Sequence, residues 1–312
     1  MKSILRIGTR ASELAVTQSE WVAGLITKVY PNTSIELVTI KTKGDKILDV
    51  PLAKVGGKGL FVKEIEDAML AGEIDLAVHS MKDVPTELPE GLHVAIVPSR
   101  ETPKDAFVSN NFSSLDELPQ GSTVGTSSLR RKAQLAALRP DLKIKDVRGN
   151  LQTRLKKMED GLYDAILLAA AGLRRLGMQE RIRMLFTPEQ MLPAIGQGAL
   201  GVELRISDSE LLTQLQPLHN QTTATAVTAE RAFLLRLEGG CQVPIGAYAQ
   251  VQENVVTLTG LIASVDGKTL LKETNAAPVE HATELGATLA ESLLQQGGKE
   301  ILEKVYQASL QG

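Results

Sequence analysis

The strongest constraint on this chain is a repeated alternation of short apolar runs with longer amphipathic stretches. Residues 4–7 read as a strand, Ser12 to Val29 as a helix stopped by Pro31, and 35–41 as a second strand. A helix from about Leu60 to Leu70 then leads into the strand IDLAVHS at 74–80. This β-α-β-loop-α-β rhythm predicts a mainly parallel sheet covered by helices. After the polar crossing PSRETPKD (98–105) the rhythm resumes. TVGTS reads as a strand, a helix starts at about Ser128, LKIKDV is a strand, a helix starts at about Asn150, and YDAILLAAA is a strong strand. Beyond FTPEQMLP, the segment GALGVEL at 198–204 reads as one more strand.

Two α/β units joined by two crossings resemble the hinged periplasmic-binding-protein architecture, in which ligand sits between the lobes. From Thr222 the character changes. A helix at about 223–238 ends at Gly239-Gly240, and strand-like runs follow at 244–251, 254–263 and 269–274. Asp266-Gly267 supplies the turn of the last hairpin. The expected organisation is three domains: α/β over 1–98 plus 198–217, α/β over 105–193, and a small α+β domain with an antiparallel sheet over 222–312.

At 312 residues the chain is too long for one ordinary core. Aromatics make up only 3% of it, so the cores must be mainly aliphatic. No stretch approaches the roughly 18 apolar residues that cross a membrane, and MKSILRIGTR shows no secretory apolar region. A single cysteine can form neither an internal disulfide nor a cysteine metal cluster, and the four histidines have no ligand spacing. The expectation is a metal-free cytoplasmic protein, monomeric and bound neither to membrane nor to nucleic acid. The net charge of −3 hides an asymmetry: residues 126–184 hold fourteen Lys and Arg against six Asp and Glu. Such a concentration points to an anionic ligand.

Four segments can carry chemistry. HSMKDVP at 79–85 follows a strand, and ligands bind at the carboxyl ends of strands in open α/β sheets, so Lys82 and Asp83 are expected in a cleft. Asp83 capping a turn before Pro85 is the plainer alternative. VGTSSLRR at 124–131 runs from a strand into a helix whose first turn offers Thr126, Ser127 and Ser128, with Arg130 and Arg131 behind. Helix-start N–H groups with two guanidinium groups make an anion site, although an N-cap followed by solvated arginines fits the same residues. AKVGGKG at 53–59 lacks the spacing of a phosphate loop and reads as part of a mobile flap over 43–59, with Lys54 and Lys58 facing an acidic ligand. GGCQVPIG at 239–246 places Cys241 on a glycine loop, either as an inert apolar residue or as an attachment point.

In this order, RIGTRASELA, KTKGD, PLAKVGGKGLFVKE, AVHSMKDVP, DAFVS, VGTSSLRR, VRGNLQTRL, DAILLAAAGLRRLG, PAIGQGALGVE and RLEGGCQVPIGA resemble the porphobilinogen deaminase family across nearly the whole chain. The resemblance implies a transferase that condenses four porphobilinogen molecules, releasing ammonia and then 1-hydroxymethylbilane. It implies a dipyrromethane cofactor joined by a thioether to Cys241, with Asp83 as catalytic carboxylate. It assigns Lys82, Thr126, Ser128, Arg130 and Arg131 to the cofactor's acidic side chains, with Asp45 nearby. Arg10, Ser12, Gln18, Arg148, Arg154, Arg175 and Gln197 would line the path of substrate and growing chain. Two other readings compete. A hinged ligand-binding or effector-sensing module explains two lobes but not a third domain with a cysteine loop. A nucleic-acid binder needs stacking aromatics, and residues 126–184 hold only Tyr163.

Overall fold

The computed structural model describes residues 1–46, 62–238 and 243–311, which form two compact units. The first comprises residues 1–46, 62–101 and 199–224, and the second 102–198, 225–238 and 243–311. Lys54, Lys58 and Cys241 lie outside the described residues, as do most of the expected flap and the side chain of Asp45.

In the first unit, strands β1 (Ile4–Arg10), β2 (Ser34–Ile40), β3 (Leu76–Ser80) and β4 (Leu92–Ile96) run one way, and β10 (Leu200–Arg205) runs against them. Their order is β2-β1-β3-β10-β4. Helix α1 (Glu13–Val29) covers one face and α2 (Lys63–Leu70) the other. The start of α1 is set by Ser12, whose hydroxyl accepts the Ala15 N–H at 3.3 Å. Leu5, Ile7, Val22, Ile26, Leu76, Val78, Val202 and Leu204 form an aliphatic core. Ile65, Met69, Ile74, Ala77 and Leu92 form a second one against α2.

The second unit repeats this plan. Its sheet has the order β7-β6-β8-β5-β9, built from β5 (Asp105–Val108), β6 (Thr123–Gly125), β7 (Lys143–Lys145), β8 (Ala165–Ala169) and β9 (Met184–Leu185). Here β5 is the strand that opposes the rest. In both sheets the opposed strand is the first one reached after a crossing in the chain. Helices α3 (Leu129–Leu138) and α4 (Leu151–Glu159) start behind Ser128 and Asn150, whose side chains cap them. The mainly parallel sheets are present, each with one antiparallel strand. Strands β4, β5 and β9 were not expected, being short and lacking the alternation that marks longer ones.

The same unit carries an antiparallel sheet of β11 (Ile245–Gln252), β12 (Val255–Ala263) and β13 (Leu270–Pro278). Helices α7 (Gln221–Arg236) and α8 (Ala282–Leu293) pack on it through Phe233, Leu285 and Leu289. Shorter helices α5 (Ala170–Arg175) and α6 (Ser209–Leu215) precede these, and α9 (Lys299–Gln311) follows. The β12–β13 turn contains Gly267 at φ +72, and a Cβ there would stand 2.5 Å from the Ala133 carbonyl of α3. Only glycine satisfies both the left-handed backbone and that approach.

Candidate functional site

At the end of β3 the chain makes a single 3-10 turn, Met81–Asp83, closed by the Val84 N–H on the Met81 carbonyl. The Met81 N–H donates to the Ala199 carbonyl at 3.0 Å, which pins the turn to the sheet. Asp83 is exposed and makes no hydrogen bond or ion pair among the described residues, so it does not cap the turn. Lys82 beside it is half-buried. In the same unit Arg10 ends β1 and Ser12 follows it, both half-buried, while Gln18 on α1 is buried.

The second unit places Thr126, Ser127 and Ser128 between β6 and α3, the position that Ser12 holds between β1 and α1. Thr126 is buried, its hydroxyl accepting the Ser128 N–H at 3.3 Å, and Ser128 accepts the Arg131 N–H at 3.5 Å. Arg130 and Arg131 are not the solvated arginines that such a helix start also allowed. They are 4% and 6% exposed and converge on the buried Asp105. Arg130 donates to it at 2.6 and 3.2 Å, Arg131 approaches at 2.7 and 2.8 Å, and the Gln197 amide donates at 3.1 Å. Burial alone would raise the Asp105 carboxyl, but the two guanidinium charges and these donors outweigh it and bring the pKa to about 2. Burial lowers Arg131 from its usual value, partly offset by Asp105. The Arg130 Nε is buried without a hydrogen-bond partner.

The other arginines are half-buried. Arg154 donates to the Gly149 carbonyl and Arg175 to the Gly198 carbonyl, both at 2.8 Å, and Arg148 lies just ahead of α4. Gln197 is buried. Asp105 was legible only as part of the DAFVS run. The signal that marks it is a charged residue opening an otherwise apolar strand directly after a crossing.

Comparison with known proteins decides the family. Residues 5–213 match the model "Porphobilinogen deaminase, dipyromethane cofactor binding domain", and 224–295 match "Porphobilinogen deaminase, C-terminal domain". The chain belongs to the porphobilinogen deaminase family. It is 58% identical over 300 residues to the porphobilinogen deaminase of Syntrophotalea carbinolica, covering 96% of this chain and 95% of that one. It is 56% identical over 303 residues to that of Geobacter metallireducens, covering 97% and 95%. A solved putative methionine-binding lipoprotein from Bacillus subtilis is similar at a TM-score of 0.41 and 15% identity, over 71% of this chain and 92% of that chain. As a member of this family the chain is a deaminating transferase of tetrapyrrole biosynthesis with a dipyrromethane cofactor. Among the described residues, no helix is long and apolar enough to cross a membrane.

The described residues suit that cofactor. Its pyrroles bear carboxylate arms, and the start of α3 presents helix-start N–H groups, two serines and the orphaned Arg130 Nε within a strongly cationic segment.

Proposed function

We propose that Asp83 is the carboxylate that drives each porphobilinogen condensation, and that Cys241 carries dipyrromethane through a thioether. The observation that carries the first point is Asp83, exposed and without a partner among the described residues, on a pinned turn at the carboxyl end of a strand. Loss of ammonia from porphobilinogen leaves a cation shared with its pyrrole nitrogen. A carboxylate held beside that N–H stabilises the charge and can accept the proton released when the ring regains aromaticity. An exposed carboxylate that no cation engages among the described residues can do so. When bound, dipyrromethane supplies the pyrrole carbon on which the first new bond is made.

Lys82, Thr126, Ser128, Arg130 and Arg131, with Asp45, are assigned to the cofactor's acidic arms. Arg10, Ser12, Gln18, Arg148, Arg154, Arg175 and Gln197 are assigned to substrate and growing chain. Each porphobilinogen brings an acetate and a propionate, so every addition presents two further carboxylates. The half-buried forks of Arg148, Arg154 and Arg175 match that chemistry, while the buried Asp105 cluster keeps the start of α3 in place. Three domains, 1–98 plus 198–217, 105–193 and 222–312, carry the three sheets. The protein acts as a cytoplasmic monomer.

The test is Asp83→Asn beside Asp83→Glu, with turnover and melting temperature measured on each. Loss of one preorganised electrostatic group costs about 10²–10³ in rate. Asp83→Asn should fall by that much at an unchanged melting temperature, and Asp83→Glu should retain more activity. Near-normal turnover of Asp83→Asn refutes the assignment.

A further inference from the structure

Glu66 on α2, His79 on β3 and Glu203 on β10 are three ionisable side chains sealed in the first unit, 4%, 6% and 1% exposed. The register explains why they meet. In the antiparallel β3–β10 pair, Gly201 lies beside His79 and Glu203 beside Ala77. Strand alternation therefore sends His79 and Glu203 to one face, the face that α2 covers. His79 Nε2 and Glu203 Oε2 are 2.8 Å apart. The second oxygen of Glu203 and the Oε1 of Glu66 are enclosed without a hydrogen-bond partner. Burial, then the neighbouring charge of Glu203, pushes the Glu66 carboxyl up to about 7, with His79 pulling the other way.

Among the described residues no surrounding cation bonds to Glu66. Lys63 and Asp67 of α2 pair with each other at the surface. Arg205 of β10 is bound to the Met69 and Ile74 carbonyls and to Asp208. On β1, Gly8 faces Ile65 of α2, so alternation puts Arg6 and Arg10 on that face too; Arg6 lies against Asp75. One imidazole thus serves two carboxylates, and full ionisation leaves an uncompensated buried charge. Among the described residues, no set of His, Cys, Asp and Glu is arranged to hold a metal ion that would supply it.

The cluster lies directly behind the Asp83 turn. Met81, which opens the turn, lies over Gly201, the residue paired with His79, and a Cβ at Gly201 would collide with the Met81 sulfur. We propose that Glu66, His79 and Glu203 are positioning residues for Asp83: they tie β3 to β10 behind the turn, and hold it in its working place while Glu66 is protonated. Ionised Glu66 repels Glu203, loosens its bond to His79 and lets the Met81–Asp83 turn shift. The inference rests on Asp83 as the reactive carboxylate.

The experiment measures kcat, KM and melting temperature of the holoenzyme from pH 5.5 to 8.5, for wild type, Glu66→Gln, Glu203→Gln and Asp83→Asn. Wild-type kcat should fall with a midpoint near pH 7, where burial has pushed the Glu66 carboxyl. Glu66→Gln, which mimics the protonated acid, should keep its activity at pH 6 and lose the alkaline fall, with KM unchanged. Glu203→Gln removes a charge-assisted bond and should lower kcat by about tenfold. A purely structural cluster would flatten the melting temperature of Glu66→Gln against pH yet leave the kcat profile as in wild type, and that result overturns the inference alone. Near-normal turnover of Asp83→Asn takes down the Asp83 assignment as well. Should Glu66→Gln not fold, the wild-type profile decides. The absence of any kcat transition between pH 6 and 8 overturns the inference. A transition matched by movement of the His79 imidazole NMR signals supports it.

Discussion

Asp105→Asn removes the negative charge around which the start of α3 is built. Asp105 is fully buried and engaged by Arg130, Arg131 and Gln197. Its carboxyl is brought from 3.8 to about 2. At about 1.4 kcal/mol per pH unit, that preference for the ionised form is worth on the order of 2 kcal/mol of stability. The pKa is depressed on folding, so this contribution is complete above about pH 4 and disappears as pH falls through about 2. Asparagine goes further than protonation, because it abolishes the charge at every pH while both guanidinium groups stay buried. Breaking a buried pair by deleting one partner costs about 3–5 kcal/mol, a large share of the 5–15 kcal/mol that stabilises ordinary domains. Urea denaturation at pH 7 should show a loss in that range for Asp105→Asn. Intact mass should show that much of the surviving protein lacks cofactor, since Arg130 and Arg131 lose their common anchor. A loss below about 1 kcal/mol refutes the reasoning, because two buried cations without a counter-charge cannot be that cheap.

Native protein should be heavier than its sequence by two condensed pyrrole units, and Cys241→Ser should show the bare mass and no turnover; active protein of unmodified mass refutes the thioether. Ser128→Ala deletes the hydroxyl that accepts the Arg131 N–H, and should cost about 0.5–2 kcal/mol in urea denaturation at pH 7. An unchanged midpoint would show that the cap contributes nothing there.

Local chemistry was legible where it is local. The start of α1 was read to within a residue because Ser12 caps it, and Ser128 and Asn150 did the same for α3 and α4. The β12–β13 hairpin followed from Asp266-Gly267, where the left-handed glycine is the turn itself. Asp83 could be singled out because a position just past a strand end can be read from the strand's own sequence. Strands β4, β5 and β9 stayed hidden because they are held chiefly by their sheet neighbours.

The residues of this chain determine by themselves its alternating elements, the concentration of positive charge in residues 126–184, the family motifs and the presence of an acid just past β3. Only the tertiary structure decided which charges are buried and with what. Arg130 and Arg131 have the composition of a solvated pair, and β5 lying beside β8 turns them inward onto Asp105. His79 and Glu203 are 124 residues apart and become one unit through the β3–β10 register. Burial and pairing depend on which strands lie side by side, and that adjacency is settled by the packing of whole sheets, beyond the reach of any short window of sequence.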